Sequence, residues 1–186
     1  MLGCLDVHYL PRGARAACVV IEAFDAAWPL TSRLAAVPEV EPYQPGRFYL
    51  RELPCLTAVL HGLERVPEVL VIDGYVWLSS TCTPGLGAHL HEATGRPVIG
   101  VAKTEFAALR GSSLVAPVRR GRSARPLFVT TVAFDLEQAA RGVQAMRGAH
   151  RIPDALRWAD RLARGLPIHS NPRSANDTRR APATTK

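Results

Sequence analysis

Between residues 68 and 103 the chain reads EVLVID, then GYVWLSSTCTP, then GLGAHLHEATG, then RPVIGVAK. EVLVID is a short apolar run that ends at Asp73-Gly74, and its length and β-branched content suit a strand buried on both faces. GLGAHLHEATG has the apolar spacing of a helix, with Gly95 as its stop, and RPVIGVAK is a second buried strand. Two such strands joined through a helix must pair in parallel by a right-handed crossover. The centre of the fold is therefore a parallel pair inside a sheet.

The flanking segments extend that sheet. MLGCLDVHYL and ARAACVVIEAF, Ala14 to Phe24, read as two strands turning at Pro11 and Gly13, and LTSRLAAV supplies a third before Pro38. VEPYQPGRFYLRELP, Val40 to Pro54, holds three prolines around Tyr43 and an Arg51-Glu52 pair, and begins as a loop. From about Leu50 to Glu64, leucines 53, 56, 60 and 63 recur at the spacing of an amphipathic helix, with Pro54 tolerated in its first turn. SLVAPVRR and PLFVTTVAF read as a further strand pair, and LEQAARGVQAMRG and PDALRWADRLARG as two closing helices. Strands, a helix, then strand, helix and strand make an α/β mixed sheet flanked by helices in one domain over residues 1–168, an order that matches the ribonuclease H-like arrangement. From His169 the sequence HSNPRSANDTRRAPATTK lacks periodicity, and residues 169–186 are expected to form a disordered basic tail.

With 47% apolar and 21% charged residues, the 186-residue chain is neither wholly disordered nor fibrous. No apolar run approaches the roughly 20 residues of a membrane span, and the first ten residues lack the pattern of a signal peptide, so a cytoplasmic address is expected; a monomer is expected as well. Cys4, Cys18, Cys55 and Cys82 show no metal-binding spacing and are expected to be buried thiols. The net charge of +7 suits a polyanionic partner, although part of it lies in the tail.

Two acids stand out against this apolar background. Asp6 lies within the first strand and Asp73 ends the fourth, positions where a carboxylate must find hydrogen-bond donors or a cation. Each taken alone reads as a structural acid. Together with Glu52 at the start of a helix and Asp160 in the last one, they form a set of hard oxygen donors of the kind that holds divalent ions for phosphoryl transfer.

LDVHY around Asp6, PYQPGRFYLRELP around Tyr43 and Glu52, VLVIDG ending at Asp73, PVIGVAKTEF around Lys103 and HRIPDALRWADRLARG around Asp160 together resemble the endonuclease V family, as a divergent member. The resemblance implies a deoxyinosine 3′-endonuclease that cleaves DNA at the second phosphodiester 3′ to the lesion in repair of deaminated adenine, with inosine-containing RNA as an alternative substrate. It implies Mg²⁺, or Mn²⁺ in its place, held by Asp6 and Asp73, with Glu52, Asp160 and Lys103 completing the catalytic group. Tyr43, Gly74 and Lys103 would contact DNA, Tyr43 as a wedge that replaces a base turned out of the duplex. Arg51 either orients Glu52 or is a solvated charge.

The chain departs from the family pattern after Gly74. Val76 stands where a glycine is usual, no His-Pro-Arg element follows, and the interval is about one residue longer. That leaves open an enzyme of altered base preference, or a nucleic-acid binder without turnover. His89 and His91, spaced by two, cannot share a helix face and read as surface histidines.

Overall fold

In the computed structural model of the protein, residues 1–44 and 46–168 are described; the tail expected from residue 169 onward lies outside them. Strands β1 (Leu2–Tyr9), β2 (Ala14–Ile21) and β3 (Thr31–Val37) form an antiparallel meander. Helix α1 (Tyr49–His61) leads to β4 (Val69–Ile72), α2 (Leu86–Thr94) to β5 (Val98–Ala102), and β6 (Ala116–Val118) to β7 (Leu127–Val132). Helices α3 (Leu136–Ala145) and α4 (Asp154–Ala163) close the described chain.

The seven strands make one sheet in the order β3-β2-β1-β4-β5-β7-β6. The β1–β4 and β4–β5 pairs are parallel and the others antiparallel, as the strand, helix, strand reading requires. Alternation along the strands divides the core in two. Leu5, Cys18, Val20, Leu70, Ile72 and Val98 face α1 and α2, whereas Cys4, Val19, Ile21, Val71, Ile99 and Val101 face the α3 and α4 side. Helices on both faces of a seven-stranded mixed sheet match the expected α/β, ribonuclease H-like arrangement.

Several boundaries are shorter than their apolar runs suggest. The second strand ends at Ile21, because the chain bends there and Glu22 and Ala23 are exposed. Only Ala116–Val118 of SLVAPVRR pairs in the sheet. Helix α1 begins at Tyr49, so Pro54 is its sixth residue and lies beyond the first turn, where it removes the amide that would reach the Leu50 carbonyl. Among the described residues no helix is long and apolar enough to cross a membrane. Cys4, Cys18 and Cys55 are buried free thiols, but Cys82 is exposed, in an irregular loop at φ 58° that lifts it off the core.

Candidate active site

The parallel register of β1 and β4 pairs Leu5 with Ile72. One step further along both strands stand Asp6 and Asp73, so two acids 67 positions apart in sequence become neighbours at the end of the parallel pair. By strand alternation Asp6 shares the side of Cys4, which faces α4. Asp160 comes up from α4, and Lys103 follows β5. The four side chains line one cavity of about 210 Å³, with Leu5, Val101, Leu127, Ile152 and Leu156 supplying its apolar wall.

The acids are neutralised unequally. Asp73 Oδ2 accepts an ion pair from Lys103 Nζ, and Asp160 Oδ1 accepts from Arg164 Nε at 2.7 Å. Asp6 and Glu52 have no such partner. Burial first, then the charges of Asp73 and Asp160, raises Asp6 to about 7. Glu52 reaches the cluster from α1 on the other side of the sheet. Burial, then Asp6 and Asp73, raises it to about 8. Two carboxyls are thus held where desolvation and like charge both oppose ionisation.

Arg51 neither pairs with Glu52 nor lies free in solvent. Its guanidinium stacks 4.2 Å from the centroid of the Tyr9 ring, and its Nε is buried without a hydrogen-bond partner. The Tyr9 hydroxyl is also buried and turned toward the Glu52 carboxylate; burial, then Glu52, raises its pKa. Tyr43 is 62% exposed and touches Phe48 edge to face at 6.4 Å, so it does not plug the core.

After Asp73 the chain turns through Gly74 at φ 154°, with open space where a Cβ would project. Val76, in contrast, is fully buried. Its amide donates to Thr130 Oγ1 at 2.9 Å, and its side chain fits against Gly87 of α2, where an added Cβ would lie 2.6 Å from Val76 Cγ2. The valine therefore packs into the core and does not line the cavity. His89 and His91 are engaged as well: His89 stacks on Tyr49 with centroids 3.7 Å apart, and His91 Nδ1 lies 2.7 Å from the Arg96 carbonyl oxygen. The two rings take different partners, as their spacing along α2 requires, but both are half-buried and not freely exposed.

Two residues that the sequence does not single out brace Lys103 and the turn that follows it. The Tyr75 hydroxyl donates to the Thr104 carbonyl at 2.8 Å and accepts from the Phe106 amide at 3.0 Å. Arg151 donates to the carbonyls of Lys103 and Pro126. No local spacing marks these contacts. Arg157 and Arg164 did carry a signal, since they flank Asp160 at i−3 and i+4, on the same side of α4.

The donor set suits a hard divalent ion: every candidate ligand is a carboxylate oxygen, and two of the acids lack a compensating charge. Among the described residues, no three His, Cys, Asp or Glu side chains converge closely enough as they stand to hold one ion. Lys103 and Arg164 instead take up two of the four acids.

A family model described as Endonuclease V matches residues 1–161. The endonuclease V of Azotobacter vinelandii is 34% identical over 182 residues, spanning 88% of this chain and 81% of the relative. The crystal structure of endonuclease V from Streptomyces avermitilis superposes with a TM-score of 0.71 at 31% identity, covering 95% of this chain and 82% of the other. The endonuclease V of Ciona intestinalis, solved with a 24mer DNA containing an inosine followed by a ribo-adenosine, shares the fold. Its TM-score is 0.70 at 20% identity, with 88% of this chain and 84% of the other covered.

Proposed function

The chain belongs to the endonuclease V family of deoxyinosine 3′-endonucleases, and on that premise we propose that it uses Mg²⁺ to hydrolyse the second phosphodiester 3′ to a deoxyinosine in DNA. The products are a 3′-hydroxyl and a 5′-phosphate, in repair of deaminated adenine. The observation that carries this reading is the pair of half-buried acids without an ion-pair partner, Asp6 and Glu52, beside Asp73 and Asp160.

Asp6 and Asp73 would hold the ion, with Glu52 and Asp160 orienting it and the attacking water; Mn²⁺ offers the same charge and oxygen preference. A divalent ion held there supplies positive charge to the phosphoryl oxygens and makes a nearby water more acidic. Lys103, which lines the cavity beside Asp73, would place its ammonium on the scissile phosphate. Tyr43 is exposed enough to stack where a base has left the duplex. Gly74 leaves room for the displaced base to approach the backbone. The thiols of Cys4 and Cys18, pushed upward by burial, suit a reducing cytoplasm.

The Ciona protein, described in complex with inosine-containing DNA, makes DNA the first substrate to try. Inosine in RNA is the alternative polymer. One feature favours a second reading, an altered base preference. The segment after Asp73 carries a hydroxyl network in which Ser79 Oγ lies 2.9 Å from Thr81 Oγ1 and 2.7 Å from Thr83 Oγ1, where the family resemblance leads one to expect His-Pro-Arg.

End-labelled duplexes with a single inosine, uracil or mismatch, incubated with Mg²⁺ or with chelator, test both readings. A single nick at the second bond 3′ to inosine, abolished by chelation, is expected. Equal cutting with chelator, or retention of DNA without a nick, contradicts the proposal, and a stronger nick at another base selects the second reading.

A further inference from the structure

A second cleft lies against the first. It has a volume of about 480 Å³ and is lined by Trp28, Arg147, Asp154, Arg157, Trp158 and Arg161. Arg157 belongs to both cavities, so the cleft continues from the carboxylate site along α4. Arg157, Arg161 and Arg164 recur at i, i+4 and i+7 and form one basic stripe on that helix. Trp158 is 7% exposed and belongs to the core beneath, whereas Trp28, between β2 and β3, is 37% exposed.

Three guanidiniums face a single acid in this cleft. Asp154 accepts from Arg157 at 3.4 Å, and Arg161 donates to the Pro167 carbonyl through Nε and Nη2 at 3.1 and 3.0 Å. The Arg147 side chain has no ion-pair or hydrogen-bond partner among the described residues. An exposed indole beside cations that anchor phosphates is how proteins hold single-stranded nucleic acid: the bases stack and the backbone is neutralised.

We propose that the cleft binds the substrate strand 3′ to the cleaved bond, with Arg147 and Arg161 on phosphates and Trp28 stacked on a base. The direction follows from the order of the parts and rests on Tyr43 as the lesion wedge. Tyr43 precedes α1 on one side of the sheet, α4 and the cleft lie on the other, and the acids stand between them. A strand that passes from the lesion to a cut on its 3′ side leaves across α4.

The test uses fluorescein-labelled DNAs with one inosine and either about 2 or about 10 nucleotides beyond the cut bond, with binding read by anisotropy in chelator. The intact protein is expected to bind the longer DNA about tenfold more tightly, with a steeper salt dependence. In Trp28→Ala and in the double variant Arg147→Ala/Arg161→Ala that ratio falls toward one, while Trp28→Phe, which keeps an aromatic face, retains most of it. An unchanged ratio in these variants, a ratio near one in the intact protein, or a preference that follows 5′ length instead overturns the proposal. Nicking of the shorter DNA separates the two claims. Nicking without length preference leaves the activity standing and removes the subsite; length preference without nicking does the reverse.

Discussion

Asp6 and Asp73 are neighbours on parallel strands, yet only Asp73 has a cation beside it, the Lys103 ammonium. The difference leaves Asp6, of the two strand-end acids, the one in need of a counter-ion. Asp6→Asn is therefore expected to lower nicking of inosine DNA by about a thousandfold or more, while DNA binding changes only a few-fold. The same substitution should raise the melting temperature of the metal-free protein at pH 8, because it relieves both desolvation and like-charge repulsion. A metal-free variant less stable than its parent would show that Asp6 is held by donors and not by repulsion.

The raised carboxyls give stability a pH dependence. Asp6 rises from 3.8 to about 7 and Glu52 from 4.5 to about 8, so the folded state binds protons more tightly than the unfolded one. Their contribution is complete below about pH 4 and is lost as pH rises through 7 to 8, on the order of a few kcal/mol between them. On the proposed reading Mg²⁺ would bind the ionised forms, and it should raise the melting temperature more at pH 8.5 than at pH 6. Scanning calorimetry of the parent and of Asp6→Asn at both pH values isolates this effect; an equal Mg²⁺ shift at the two pH values in the parent runs against it.

Tyr43 contributes little to the core, being 62% exposed. Tyr43→Ala is expected to leave stability within about 0.5 kcal/mol while reducing the preference for inosine over adenine in the nicking assay. Tyr43→Phe keeps the stacking face and should retain most of that preference. A large loss of stability in Tyr43→Ala would return the residue to a structural role.

Val76 fills core space under α2, and restoring a glycine there removes a buried side chain without opening the cavity. Val76→Gly should cost about 2 to 4 kcal/mol in urea unfolding and should not raise the rate on inosine. A faster Val76→Gly enzyme would mean that the valine obstructs the base after all.

Apolar runs and their punctuation carry most of the fold, because burial on both faces leaves strands such as VLVI and VIGVA few alternatives. Asp6 and Asp73 are legible for the same reason: a charge on an apolar strand is conspicuous. The role of Arg51 is not, since its partner Tyr9 lies on another strand and a cation over a ring has no sequence spacing. The Tyr49–His89 stack and the Arg151 contact to Lys103 are hidden likewise. Val76 shows the converse case, a departure conspicuous in the sequence that the packing absorbs.

On this reading Asp6 of β1, Glu52 of α1, Asp73 just past β4 and Asp160 of α4 form one divalent-ion site. Electron paramagnetic resonance of Mn²⁺ titrated into the protein at pH 7.5 measures this without any substrate. Saturable binding that Mg²⁺ competes away, and that Asp6→Asn and Asp73→Asn each weaken by tenfold or more, is the expected result. Binding of equal strength in both variants, with the fold intact, would contradict it.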